Sequence, residues 1–273
     1  MIKSLTIIIR TKGNEDIKNT IESIRRSFVE ETYLEIVVIS FSNENATYIK
    51  DGVRYYLNRC NRAEAKKIGV DYANAEYVLF LDSDQIISKD LIIKLQSLTG
   101  DMIFIPERTY YKHFVANLMD NKRTLLERRM KQKIDVYIPV IPRVFKRELI
   151  KSVFDAIDDS ILHNLIWPED SVIFYEALKL SRDITWADSY IYNVDPYLPK
   201  FIKKSYYYGK KSEEITSSET LPLEYVNLIR KIQFESLINN RLISLQLILI
   251  NTMRGIPYVF GLISSHLLEG GKK

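Results

Sequence analysis

Residues 75–85, AEYVLFLDSDQ, decide how the chain is read. An apolar run from Tyr77 to Leu81 ends in two carboxylates one residue apart, Asp82 and Asp84. Unbroken hydrophobicity over five residues suits a strand covered on both faces, as parallel strands of α/β sheets are. In open α/β sheets ligands bind beyond the carboxyl ends of strands, and that is where the two acids fall. They are therefore the first candidates for a metal or phosphate site.

Outward from that strand, the pattern repeats. Ser4 to Arg10 is a β-branched run, and Thr11 to Asn14 follows as a loop containing Gly13. Asn14 then caps a helix whose first turn holds Glu15 and Asp16 and whose apolar face is Ile17, Ile21, Ile24 and Phe28. Leu34 to Ser40 is a second strand, a polar loop follows, and Val53 to Leu57 is a short third. NRAEAKKIGVDYA, residues 61–73, reads as a helix leading into the acidic strand. Beyond it, Lys89 to Leu98 has the alternation of an amphipathic helix and Met102 to Ile105 that of a strand.

Tyr110 to Lys133 reads as a basic helix. YIPVIPRVF, residues 137–145, reads as an edge or bent strand because of Pro139 and Pro142. In WPEDSVIFYEALKL, Pro168, Glu169 and Asp170 open a helix whose buried side is Val172, Ile173, Tyr175, Ala177 and Leu178. Asp183 to Val194 reads as one more strand, FIKKSYYYGKKSEE as a basic, tyrosine-rich stretch, and Leu221 onward as long helices. Strands alternating with helices predict an α/β fold, with a largely parallel central sheet flanked by helices. The expected division is a catalytic domain over 1–215 and a C-terminal helical, amphipathic extension over 216–273.

Composition narrows the function classes. With 46% hydrophobic and 27% charged residues, the chain can bury a core and is not disordered by default. A net charge of +4, with acids spread among the bases, gives nucleic-acid binding no strong compositional support and leaves room only for a local basic patch. The single Cys60 excludes an internal disulfide and a Cys-based zinc site, so a reducing compartment is expected. The N-terminus enters a strand-like run at once, without a basic segment and a long apolar segment behind it, which predicts a cytoplasmic protein. Leu242 to Ile250 and Ile256 to Leu268 are apolar but interrupted by Arg254, and neither approaches the roughly 20 residues that cross a bilayer. The expectation is an interfacial helical pair, peripheral at the inner face of the cell membrane, or a face for a second copy of the chain.

Four segments in order resemble the family 2 glycosyltransferases of the GT-A fold: IIIRTKGNED, RAEAKKIGVDYANAEYVLFLDSD, WPED and KKSYYYGK. A bare Asp-x-Asp recurs by chance in chains of this length, and the block around it carries the specificity. There are departures. Ser40 stands where the family's second strand typically ends in an aspartate that helps hold the base, Arg10 replaces a usual proline, and Gly13 is inserted before Asn14.

The resemblance implies an inverting enzyme that moves a sugar from a UDP- or GDP-sugar to a hydroxyl of a lipid-linked or polysaccharide acceptor. Departure of the diphosphate needs charge neutralised, and Mg²⁺ or Mn²⁺ held by carboxylates does this. Asp84 would be the direct metal ligand, and Asp82 would reach the ribose, or the metal through water. Asp170 would be the general base and Glu169 would position its loop. Arg10, Thr11, Ser40, Arg62, Lys66 and Ser83 would be nucleotide contacts by position, while Lys203, Lys204, Tyr206 and Lys210 would close over the diphosphate as a mobile basic segment with Gly209 as its permissive point.

Each of these has a blander alternative. Asp82 and Asp84 can cap a turn, Glu169 and Asp170 can cap a helix, Arg62 and Lys66 can be a solvated face, and the lysines near 204 can face anionic lipid. Trp167 stacks on the acceptor or belongs to the core. His113, His163 and His266 read as structural or surface residues. A nucleotidyltransferase would want a glycine-rich loop after the first strand, a glycoside hydrolase needs no nucleotide site, and a non-catalytic sugar-nucleotide-binding module needs no base.

Overall fold

The computed structural model describes residues 1–13, 17–165, 167–216, 221–238 and 245–269; within the last helices, the side chains of 211–216, 233–238, 245–248 and 265–269 are outside the description. The expected cap at Asn14, with Glu15 and Asp16, lies outside the described residues. The chain divides into two compact units, the first made of 1–108, 141–163 and 173–194, the second of 109–140, 164–172 and 195–273.

In the first unit, β1 (Ser4–Thr11) is followed by α1 (Lys18–Arg26), β2 (Tyr33–Phe41), β3 (Ala46–Lys50), β4 (Val53–Asn58), α2 (Arg62–Tyr72), β5 (Tyr77–Asp82), β6 (Gln85–Ile87), α3 (Leu91–Gln96), β7 (Met102–Phe104) and β8 (Glu107–Thr109). The second unit begins with α4 (Phe114–Gln132). The chain then returns to the first through β9 (Val144–Lys146), α5 (Arg147–Ala156) and α6 (Asp159–Asn164). The first turn of α7 (Glu169–Leu180) belongs to the second unit and the rest to the first, with β10 (Ile184–Trp186) and β11 (Ile191–Asn193). Helices α8 (Leu198–Thr216), α9 (Leu223–Ile238) and α10 (Leu245–Glu269) complete the second unit.

The fold is mixed α/β around an eight-stranded sheet of order β10-β7-β9-β5-β1-β2-β4-β3. The β5-β1-β2-β4 run and the β7–β10 pair are parallel, whereas β9 is antiparallel to both its neighbours and β3 to β4. Both faces of the middle strands are covered. Ile7, Ile9, Val38, Leu79 and Leu81 pack with Ile21 and Ile24 of α1 and with Leu91 and Leu95 of α3. On the opposite face α2 lies against β1, where a Cβ on Gly69 would stand 2.4 Å from Ile8 Cγ2. A glycine is needed there because the helix backbone comes within reach of a strand side chain.

Several expectations are corrected. The segment read as a polar loop after β2 contains β3, an exposed edge strand joined to β4 by a tight turn at Asp51 and Gly52, both with positive φ, the geometry of a two-residue hairpin. The strand expected at 137–145 shrinks to β9, which lies between β5 and β7 rather than at an edge, and both prolines precede it. Asp183 to Val194 is two short strands in two different sheets. Phe28 lies past the end of α1 and is exposed instead of packing beneath it. The basic stretch around Lys204 forms part of the 19-residue helix α8. Gly209 serves close packing: a Cβ there would stand 2.0 Å from Tyr258 O of α10.

Candidate active site

The parallel register brings the predicted residues of three strands to one sheet end. Arg10 is level with Asp82 across β1 and β5, and Thr11 is level with Ser40 across β1 and β2. Arg10 Nη2 lies 2.5 Å from Asp82 Oδ1, with both side chains mostly shielded from solvent. Burial by itself would raise the Asp82 carboxyl, but the Arg10 guanidinium, with Arg143, Arg62 and Lys66 adding to it, holds it far below the usual carboxylate range. Ser40 is buried, Thr11 half-buried and Asp84 exposed.

Helix α2 delivers Arg62 and Lys66. Its start is fixed by a capping box: Glu64 N donates to Asn61 Oδ1 at 2.9 Å, and Asn61 N donates to Glu64 Oε2 at 2.7 Å. Asn61 Nδ2 also donates to the carbonyls of Leu162 and His163, tying the cap to α6. Lys66 is buried, with Nζ 5.6 Å from the centre of the Phe80 ring, so it is not a residue of a solvated face. Lys67 points elsewhere and pairs with Asp159 at 2.5 Å.

The Asp-Ser-Asp turn is clamped through its backbone. Asp82 N donates to Gln85 Oε1 at 2.9 Å, Thr20 Oγ1 donates to Ser83 O at 2.9 Å, and Val194 N donates to Asp84 O at 3.1 Å. Arg143 was missed by the sequence reading. Its guanidinium is buried against Glu107, with Nε at 2.8 Å and Nη2 at 2.5 Å from Oε1, and it adds positive field at Asp82. A lone arginine between Pro142 and β9 carries no motif that would have marked it.

The remaining predicted residues belong to the second unit. Glu169 is buried and Asp170 half-buried in the first turn of α7, where Ser171 N and Val172 N donate to Pro168 O at 3.1 and 3.3 Å. Trp167 stacks on Tyr208 of α8, ring centres 5.6 Å apart. Lys204 is exposed on α8, its Nζ 5.9 Å from the Tyr208 ring centre, and Lys210 is half-buried on the same helix. Cys60 is unsuited to thiolate chemistry, since burial pushes its thiol up to about 11 and Glu64 adds to the rise.

Asp82 and Asp84 offer hard carboxylate oxygens one residue apart, a donor set that fits Mg²⁺ or Mn²⁺ completed by phosphate oxygens. Among the described residues no group of three or more His, Cys, Asp or Glu side chains converges. The arrangement therefore combines acids able to take a cation with a cluster of cations able to take a diphosphate.

Residues 6–154 match the family model described as glycosyl transferase family 2. Among solved structures the chain is similar to S. aureus TarS, with 15% identity and a TM-score of 0.53 over 88% of this chain and 44% of TarS, so it spans under half of that protein's length. It is likewise similar to S. aureus TarS 1–349, with 14% identity and a TM-score of 0.51 over 95% of this chain and 81% of the other. The same TarS piece in complex with UDP gives 13% identity and a TM-score of 0.50 over 99% and 92%. No curated protein sequence matches.

Proposed function

The chain belongs to glycosyl transferase family 2, and from that premise we propose that it is an inverting enzyme transferring a sugar from a nucleotide-sugar to a hydroxyl acceptor with Mg²⁺ or Mn²⁺. The observation that carries this reading is the Asp82–Asp84 turn at the end of β5, framed by Arg10, Arg62, Lys66 and Arg143. A cation held at Asp84, with Asp82 beside it, would neutralise the charge that builds on the departing diphosphate.

The donor proposed first is a UDP-sugar, with a GDP-sugar as the alternative; the crystal structure of TarS 1–349 in complex with UDP supports that order. Thr11 and Ser40 lie at the sheet end where the base and ribose would be held, Ser83 lies in the turn, and Arg62 and Lys66 of α2 would meet the diphosphate. Asp170 is assigned as the general base and Glu169 as the residue that positions it. Lys204 and Lys210 add positive charge on α8 that attracts the anionic donor over distance.

For the acceptor we favour a lipid-linked or polysaccharide glycan met at the inner membrane face. Ile256, Phe260 and Ile263 recur at helical spacing and are exposed on α10, an apolar face of the kind that enters a lipid interface. Among the described residues no helix is long and apolar enough to cross a membrane. A second copy of the chain is the other occupant of that face. On this reading 1–215 is the catalytic part and 216–273 the helical extension.

The test is a thermal-shift screen of UDP-, GDP- and dTDP-sugars with and without Mn²⁺, followed by a transfer assay with the donor that binds. Metal-dependent stabilisation and turnover support the proposal. Stabilisation without turnover on any acceptor would point to a non-catalytic binding module, and release of pyrophosphate from a nucleoside triphosphate to a nucleotidyltransferase.

A further inference from the structure

Three residues, Glu107, Asn193 and Gln85, connect the buried Arg143 to the acidic turn. Arg143 is fixed by its own backbone, its carbonyl accepting from Phe80 N at 2.9 Å and its N–H donating to Ile103 O at 3.1 Å. Its side chain grips one oxygen of Glu107, whose other oxygen, Oε2, accepts from Asn193 Nδ2 at 2.9 Å. Asn193 Oδ1 accepts from Gln85 Nε2 at 2.9 Å, and Gln85 Oε1 accepts from the backbone N–H of Asp82 at 2.9 Å.

The chain has one workable direction. An ionised Glu107 only accepts, so Asn193 must turn its amide nitrogen toward it, which leaves the Asn193 oxygen for Gln85 and the Gln85 oxygen for Asp82. Arg143 holds Glu107 in that state. Gln85 is almost fully buried, so reversing either amide would leave polar atoms facing like partners away from water.

We infer that Glu107, Asn193 and Gln85 form a positioning relay that anchors the Asp82–Asp84 turn to the Arg143 ion pair and so sets the turn's geometry for donor binding. None of the three need touch the donor. The inference rests on the donor-site reading of that turn, and its test has one arm that does not. Outer partners of this kind, when removed, typically cost about 10–100-fold in affinity.

The experiment compares the wild type with Asn193→Leu, which cuts the relay, Asn193→Asp, which turns a carboxylate toward Glu107, and Gln85→Met, which serves if the first fails to fold. Amide hydrogen exchange at Asp82 in donor-free protein is expected to quicken at least tenfold in each folded variant. The donor KM is expected to rise about 10–100-fold while the acceptor KM holds. Glu107→Gln combined with Asn193→Leu is expected to be no more than about twofold worse than Asn193→Leu alone, because both break one chain. Unchanged exchange at Asp82 overturns the relay; quickened exchange with an unaltered donor KM overturns its role in binding. If the wild type binds no nucleotide sugar, the functional reading fails, and the exchange arm still decides whether the relay holds the turn.

Discussion

Arg10 and Asp82, level with each other on adjacent parallel strands, close a 2.5 Å ion pair at the end of the sheet. The departure at Arg10, where a proline is usual in the family, thus acts directly on the first acid of the motif. Replacing Arg10 by methionine leaves a largely shielded carboxylate short of its partner, and the expected loss is about 1.5–3 kcal/mol. Because the Asp82 pKa is depressed in the folded state, the pair's contribution is present above the ordinary carboxylate pKa of about 3.9 and fades as pH falls below it. Urea melts of wild type and Arg10→Met should therefore differ at pH 6 and converge toward pH 2.

Asp170→Asn keeps the volume of the side chain and removes the proposed base. It should lower kcat by about 10²–10⁴-fold while leaving the donor dissociation constant within a factor of two. Steady-state kinetics beside a donor titration measure both, and full transfer by a folded variant would remove Asp170 from that role.

Gly209→Ala should destabilise the packing of α8 on α10, since its methyl would stand 2.0 Å from Tyr258 O. Overpacking of this kind costs about 1–3 kcal/mol, readable as a lowered Tm. Gly69→Ala should do the same between α2 and β1, with donor affinity lost in addition because α2 carries Arg62 and Lys66.

Lys122 of α4 is buried, with Nζ donating to Asn251 Oδ1 at 2.8 Å, and burial, with Arg254 adding, pushes its ammonium down to about 7. Between pH 7 and the unfolded value of about 10.4 the unfolded chain holds a proton that the folded chain lacks, so stability gains up to about 1.4 kcal/mol per pH unit as pH rises. Chemical denaturation at pH 7, 8 and 9 should show this rise in the wild type and a flatter profile in Lys122→Met.

The central strands were legible because they are buried on both faces and read as unbroken apolar runs, Ile7 to Ile9, Ile36 to Ile39 and Tyr77 to Leu81. The edge strand β3 has five exposed residues and so no apolar pattern, although Asp51-Gly52 was a hairpin signal at its end. The acidic turn and the α2 cations were visible as a local block. The relay was not, because Gln85, Glu107, Arg143 and Asn193 meet only through tertiary structure and share no spacing. The stretch around Lys204 gave no helical apolar pattern because, among the described side chains of α8, those buried are Phe201, Ser205 and Gly209, two of them small and not hydrophobic.

The central claim is that the Asp82–Asp84 turn binds a nucleotide-sugar with a divalent cation. Calorimetric titration of UDP- and GDP-sugars into the wild type and Asp84→Ala, each with Mn²⁺ and with chelator, tests it most directly. Binding that needs Mn²⁺ and falls at least tenfold in Asp84→Ala is the predicted result; no metal-dependent binding of any nucleotide sugar to the folded wild type would contradict it.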